Sequence, residues 1–328
     1  MSKDTVQKDH PKKKAVIFGD IGGSNIRIAA CVERNICMEH KVSYSTSRFA
    51  TLEEMVQEYC HSYGLEPVGG AFAVAGPTDG VVARLTNAEW TADVRTLSFP
   101  CVLLNDLQAA GCALPSLASM EPKIIQAGQA ERTQALSVVL GVGTGLGMAL
   151  VTADDVFSTE FGHTSFAPVD KMTGKLHKWM LENHRRVRNE DVLSGRAMPS
   201  LIQFCVHDLD IDLEDVESKD GAWVSENPEH PVAAEVLSLF FTLLGAVCGD
   251  IILSTRPKQL VLCGGVVSKL FAHWHSRSSY NIGYLSLFFM ALYNKAPMEK
   301  IVKASDIVLV QSDDIALLGA KHRALAMQ

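Results

Sequence analysis

The chain has 328 residues, which at about 150 residues per domain predicts two domains and enough material for a sizeable core. It is 47% hydrophobic and 20% charged, ordinary for a folded globular protein, so a largely disordered or fibrous chain is excluded. Its formal net charge of −7, with no basic stripe interleaved with aromatics, argues against a nucleic-acid partner.

In chain order, Lys12, Lys13 and Lys14 sit in a polar leader with Asp4 and Asp9 but no arginine, unlike a transit peptide, so residues 1–14 read as a solvated, flexible tail. The stretch "AVIFGDIGGSNIRIAACV", Ala15 to Val32, is two apolar runs joined by a tight polar turn, and the β-rich pattern continues to Thr46. From Thr51 to Gly64, Leu52, Met55, Val56 and Tyr59 recur at spacings of 3 and 4, a helical period. A strand "GAFAVAG" follows, then a polar stretch that includes "DGVVARLTNAEW", a short strand "CVLLND", and a helix beginning near Gln108. This is α/β order.

"LSVVLGVGTGLGMALV", Leu136 to Val151, repeats the opening hairpin 122 residues later, counted from Phe18 to Leu140. A repeated supersecondary unit predicts a duplicated architecture in which two glycine loops grip one ligand from both sides. The longest apolar run, Val236 to Gly249, is 14 residues long and closes at Asp250, short of the roughly 20 needed to span a bilayer; it reads as a buried helix. The eight cysteines lie mostly in apolar runs without a CxxC pair, as expected of reduced core thiols in the cytoplasm.

Glycine suits such loops because backbone N–H groups reach phosphate oxygens where no Cβ intervenes and positive φ is allowed, and Ser24 and Thr144 add hydroxyl donors. Either loop alone reads better as a plain hairpin turn; the pair favours a nucleotide. Neither fits GxxxxGK[ST], and Gly141 to Gly147 misses GxGxxG, which disfavours Walker and Rossmann chemistry. Asp20 inside the first loop is then informative. A carboxylate about 4 Å from a phosphate charge costs roughly 4 kcal/mol at an effective dielectric of about 20, unless a cation lies between them. Magnesium, held by one or two carboxylates plus substrate phosphates, supplies that cation.

"FGDIGGSN", "FAVAGP", "LTNAEW", "LLNDLQAAG", "GVGTGLG", "EFGHTSFAP", "EDVLSG" and "LCGGVV" occur in the order found in the bacterial-type glucokinases, sugar kinases of the actin and Hsp70 superfamily, and the resemblance runs from Ala15 to the C-terminus. It implies an α/β fold of two RNase H-like (actin-like ATPase) domains with ATP and glucose in the cleft between them. The small domain would comprise residues 15–107 and 305–328, its C-terminal helix near Ile315 to Leu325 packing back onto it, and the large domain residues 108–304. It further implies ATP-dependent phosphorylation of the glucose 6-hydroxyl, Mg²⁺ as cofactor and a cytoplasmic homodimer without nucleic-acid or membrane partners.

The resemblance places the catalytic base at Asp106. Independently, a strand ending in Asn105-Asp106 puts both side chains where open α/β sheets bind ligands, although Asn-Asp after a strand is also a common turn. Carried over for the sugar are Asn87, Asn105, Asp106, Glu160, His163 and Glu190, groups rich in donors and acceptors for hydroxyls. Without the resemblance, Glu160 and His163 read as a surface pair at i, i+3 and Glu190 as a helix-start carboxylate. For the nucleotide it carries over Asp20, Gly22, Gly23, Ser24, Asn25, Gly143, Thr144, Gly145, Gly264 and Gly265, with Asp20 on Mg²⁺ through water; locally, Gly264-Gly265 equally fits a strand-to-helix turn.

The chain departs from the resemblance at Phe161, where many members have glycine, at "SGRAMPSL", and over Phe271 to Ser286. His273-x-His275 lacks a Cys or carboxylate partner for a metal. Trp90, three residues after Asn87, is expected to report sugar binding by fluorescence. Two alternatives remain: a kinase for another hexose or an N-acylated hexosamine, and a non-catalytic sugar-sensing actin-like ATPase, which needs no base at position 106.

Overall fold

The computed structural model describes residues 11–33, 35–85, 90–128, 135–274 and 283–328. The chain divides into two compact units: unit 1 runs to Ser116 and resumes at Asp314, and unit 2 is Leu117–Asp313. The chain thus crosses between units later on both passes than the sequence reading has it.

Unit 1 is built on β1 (Lys13–Ile21), β2 (Asn25–Val32), β3 (Glu39–Ser45), β4 (Leu65–Val74), a two-stranded ribbon of β5 (Val82–Arg84) and β6 (Thr91–Asp93), and β7 (Cys101–Asn105). The main sheet has the order β3-β2-β1-β4-β7, with β1 antiparallel to β2 and parallel to β4. The basic run is therefore not all tail: Lys13 and Lys14 open β1 and pair with Leu65 and Glu66. Helix α1 (Leu52–Tyr63) forms where the 3-and-4 spacing predicts it, because Thr51 accepts from Glu54 N at its start and Gly64, at φ 61°, ends it. That sharp end delivers the chain straight into β4, so this strand begins at Leu65 and not at Gly70.

Asn105 caps α2 (Asp106–Cys112), whose first residue is Asp106. The C-terminal helix Ile315–Ala326 lies over the face of this same sheet, where Ala316, Leu317, Ala320 and Ala324 pack with Phe18, Ala71, Ala73, Leu104 and Ala109. Small side chains on both sides permit that close approach, and dispersion contacts accumulate across it.

Unit 2 contains β8 (Lys123–Gln126), β9 (Ser137–Val142), β10 (Leu146–Val151), β11 (Val156–Thr159), β12 (Gln259–Cys263) and β13 (Asp306–Leu309). Its helices include α3 (Lys171–Met180), α4 (Asn189–Val192), α5 (Met198–Leu209), α6 (Gly221–Glu226), α7 (Pro231–Thr255), α8 (Gly265–Leu270), α9 (Tyr284–Tyr293) and α10 (Glu299–Ala304). The sheet order, β11-β10-β9-β12-β13-β8, repeats the arrangement of unit 1 with β8 added at one edge. The hairpin echo in the sequence is thus an echo of whole sheets.

The apolar run does not stop at Asp250. Helix α7 extends to Thr255, and Asp250 sits on an exposed side, where its Oδ1 accepts from Lys295 Nζ at 2.5 Å. At 25 residues it is long and apolar enough to cross a membrane by length and composition, yet 83% of its most apolar window is buried inside the protein. Phe240, Phe241, Leu243, Leu244 and Ile251 carry that burial. All eight cysteines lie among the described residues and none is in a disulfide; five are buried and Cys37 is exposed.

Candidate active site

In unit 1, antiparallel register sets Asp20 on β1 opposite Arg27 on β2. Arg27 Nη2 donates to Asp20 Oδ2 at 2.5 Å, and Arg27 Nη1 approaches Asp314 Oδ1 at 3.4 Å. Burial raises the Asp20 carboxyl above its usual range, against the pull of Arg27. Sequence inspection missed Arg27, although a tight hairpin around Gly22-Gly23-Ser24 makes it the natural cross-strand partner of Asp20. The turn is tied down: Gly22 N donates to Asn25 O, Thr46 N to Ser24 O, and Thr46 Oγ1 to Gly22 O, all at 2.8–2.9 Å.

At the carboxyl end of β7, Asn105 Nδ2 donates to Gly76 O at 3.2 Å and its Oδ1 accepts from Leu107 N at 2.9 Å. Asp106 Oδ1 accepts from the same amide at 2.8 Å. Burial lifts the Asp106 carboxyl to about 6; the Leu107 amide opposes that rise and the nearby charge of Asp20 adds to it. Asp20 and Asp106 are both carboxyls penalised by burial, and the charge of Asp20 adds to the cost of ionising Asp106; hard oxygens of this kind suit a divalent cation.

In unit 2 the second glycine turn is clamped from behind. Gly195 N donates to Gly143 O at 2.7 Å, Arg196 N to Thr144 O at 3.1 Å and Gly143 N to Gly145 O at 3.0 Å, so all three carbonyls of the turn are engaged by the protein. A Cβ at Gly143 would meet nothing within 4 Å, whereas one at Gly145 would lie 2.6 Å from Glu190 Oε2. Glu190 indeed reaches this turn, its Oε2 accepting from Leu146 N at 3.2 Å. Only Gly64, Gly80 and Gly264 among the described glycines have positive φ, so the two hairpin turns do not use that freedom. At Gly264, with φ 109°, a Cβ would sit 2.5 Å from Val142 O. The neighbouring strand by itself thus requires a glycine at 264, whereas a Cβ at Gly265, which opens α8, would meet nothing within 4 Å.

Glu160, His163, Glu190 and Arg188 share one corner of unit 2. His163 Nε2 lies 3.7 Å from the exposed Glu160 carboxylate, Arg188 Nη1 is 2.9 Å from His163 Nδ1, and Arg188 Nη1 is 3.8 Å from Glu190 Oε1. Arg188 was invisible to the sequence reading because His163 is 25 residues away; only its i, i+3 relation to Asp191 is local. Gly162 was missed too, though a Cβ there would overlap Leu146 O at 2.1 Å. The Phe161 side chain packs against the core of unit 2. Asn87 lies outside the described residues, as does His275; His273 Nε2 is 3.3 Å from Ser225 Oγ. Trp90 is buried in the unit 1 core and its Nε1 donates to Phe49 O at 3.1 Å, so replacing it disturbs packing as well as any sugar signal.

The glucokinase family model matches residues 17–327. The chain belongs to the glucokinase family. A Brucella suis glucokinase is 31% identical over 321 residues, covering 94% of this chain and 90% of that protein. The crystal structure of a glucokinase from an Antarctic psychrotroph superposes with a TM-score of 0.81 at 27% identity, over 95% of this chain and 99% of that one. A glucokinase from Streptomyces griseus, solved with glucose and AMPPNP, shares the fold at a TM-score of 0.61 and 18% identity, over 95% and 99% of the two chains. The fold of this glucokinase is therefore that of the actin-like sugar kinases, α/β in both units.

Proposed function

We propose that the protein transfers the γ-phosphoryl group of ATP to the 6-hydroxyl of glucose, with Asp106 as general base. The observation that carries this reading is Asp106 itself: a buried carboxyl at the end of a sheet strand, lifted to about 6 beside a second carboxylate. A base with that pKa is ionised near neutral pH yet basic enough to take a proton as the hydroxyl oxygen attacks phosphorus in line. The Streptomyces griseus relative's glucose and AMPPNP support both substrates.

In this reading Asn105, Glu160, His163, Glu190 and Asn87 bond the sugar hydroxyls. The turns Gly22-Gly23-Ser24-Asn25 and Gly143-Thr144-Gly145, with Gly264-Gly265, serve the nucleotide. Asp20, steadied by Arg27, would hold Mg²⁺ through water; when bound, the metal neutralises phosphate charge. Phosphoryl transfer asks mainly for such positioning and charge neutralisation. The net charge of −7 and the buried thiols, none of them in a disulfide, support a cytoplasmic enzyme acting without nucleic acid, and the burial of α7 supports one acting without a membrane. Gel filtration with light scattering tests the homodimer.

A coupled assay over glucose, mannose, fructose and N-acetylglucosamine tests the substrate. Glucose should give the highest kcat/KM, since a site built to bond a hydroxyl discriminates strongly against analogues that misplace it. A higher value with N-acetylglucosamine would move the assignment to a hexosamine kinase, and ATP hydrolysis unaffected by any sugar would favour an actin-like or chaperone-like ATPase.

Asp20→Ala should raise the Mg²⁺ concentration needed for half-maximal rate and slow turnover, with the KM for glucose almost unchanged. Titrating Mg²⁺ against rate at fixed ATP checks this; an unaltered Mg²⁺ profile would return Asp20 to the role of a hairpin ion-pair residue.

A further inference from the structure

We propose that Arg188 is a positioning residue that holds His163 in the tautomer carrying its proton on Nε2, so that the ring presents a hydrogen-bond donor to the sugar. This deepens the sugar-binding reading of His163 and rests on it. Arg188 Nη1 lies 2.9 Å from His163 Nδ1. A guanidinium has donors and no acceptor, so Nδ1 is the acceptor in this pair, and a neutral imidazole that accepts at Nδ1 carries its hydrogen on Nε2. That nitrogen lies 3.7 Å from Oε2 of the exposed Glu160 carboxylate. Glu160 and His163 together then offer an acceptor and a donor side by side, the pair that two adjacent hydroxyls of a hexose can satisfy.

The arginine is itself fixed. Arg188 Nε donates to Asp191 Oδ1 and Oδ2 at 3.2 and 3.0 Å, Nη2 donates to Oδ1 at 2.6 Å, and the Arg188 backbone N–H donates to Oδ2 at 2.8 Å. Such a forked pairing sets the plane of the guanidinium and so the direction of the remaining Nη1. The backbone beneath is joined as well: Phe166 N donates to Val187 O and Asn189 N to Thr164 O, both at 3.0 Å, and Arg186 Nη2 donates to His163 O at 3.1 Å. The loop backbone and the guanidinium are thus held by separate bonds. Removing Arg188 frees the tautomer without removing every support of the loop.

Nitrogen-15 NMR of the histidine rings in the full-length enzyme, with His163→Gln identifying the signal, reads the tautomer directly. Wild type should show His163 protonated at Nε2 with Nδ1 free of hydrogen. Arg188→Ala should give a mixture of both tautomers and raise the KM for glucose about tenfold, the effect of one hydrogen bond, with a smaller change in kcat. Arg188→Lys, which keeps a cationic donor, should restore the Nε2–H form and much of the KM, and remains informative if the alanine variant fails to fold. A wild-type ring protonated at Nδ1, or a tautomer unchanged in Arg188→Ala, overturns the proposal. A tautomer that scrambles with no change in KM overturns the sugar-binding reading of His163 instead.

Discussion

Asp106→Asn is expected to lower kcat by about 10²- to 10⁴-fold while the KM for glucose stays close to the wild-type value. The amide keeps the shape of the side chain and an oxygen for the Leu107 N–H, which Asp106 Oδ1 engages at 2.8 Å, but it cannot take the hydroxyl proton. Loss of the base should also change the pH profile. Asp106 must be ionised to act, so wild-type kcat/KM should fall as pH drops through about 6, and the residual rate of the variant should lack that limb.

Stability provides an independent control. A carboxyl whose folded-state pKa is raised costs the protein stability as pH climbs from its unfolded value to about 6, and the whole cost persists above that. The neutral amide avoids it, so above pH 6 Asp106→Asn should melt no lower than wild type. Steady-state kinetics from pH 5 to 8 and thermal melts decide the matter. Turnover above a tenth of wild type would falsify the general-base role, while a large fall in Tm would trace the lost activity to damage of the fold.

Gly145→Ala should cost about 10²-fold in kcat/KM with little loss of stability. Its new Cβ would stand 2.6 Å from Glu190 Oε2, the far end of a flexible side chain, so the carboxylate yields and the backbone need not. As it moves, Glu190 gives up the Leu146 N–H that it accepts at 3.2 Å and leaves the place from which it is proposed to meet the sugar. Because the same hydrogen bond steadies the Gly143–Gly145 turn, KM should rise for both glucose and ATP. Gly264→Ala makes the contrast: its Cβ would strike the Val142 carbonyl at 2.5 Å in a backbone conformation of φ 109°, and neither can yield cheaply, so that variant should lose stability first. Melting curves and initial rates over a grid of both substrates test the pair. A Gly145→Ala enzyme with unchanged KM for both substrates would show that Glu190 serves only to brace the hairpin.

Several features of the fold were legible in the residues because they depend on near neighbours in the chain. Thr51 and Gly64 bracket α1 as capping chemistry requires, and the paired glycine hairpins announced a duplicated sheet. The strand-end position of Asp106 was legible as well, being a local pattern, and the role proposed for it came with the family resemblance. The basic run misled at one end because polar lysines at a strand's solvent-exposed start look the same as a tail. Asp250 misled as a helix stop because a charge on the exposed side of a helix does not interrupt its hydrogen bonds, and Lys295, the partner that keeps it there, is far along the chain.

What only the tertiary structure decided is who stands behind each proposed site residue. That Glu190 comes within 2.6 Å of where a Gly145 Cβ would stand, that the Val142 carbonyl comes within 2.5 Å of the same point at Gly264, and that Arg188 reaches His163 are facts of segments brought together by the fold. The shift of Asp106 to about 6 is of the same kind. Burial and the approach of Asp20 produce it, and both act through space. Residue type and spacing determine which groups can hold a proton, a hydroxyl or a phosphate. Packing determines their ionisation, tautomer and freedom to move, since those depend on desolvation and on partners that sequence separation does not reveal.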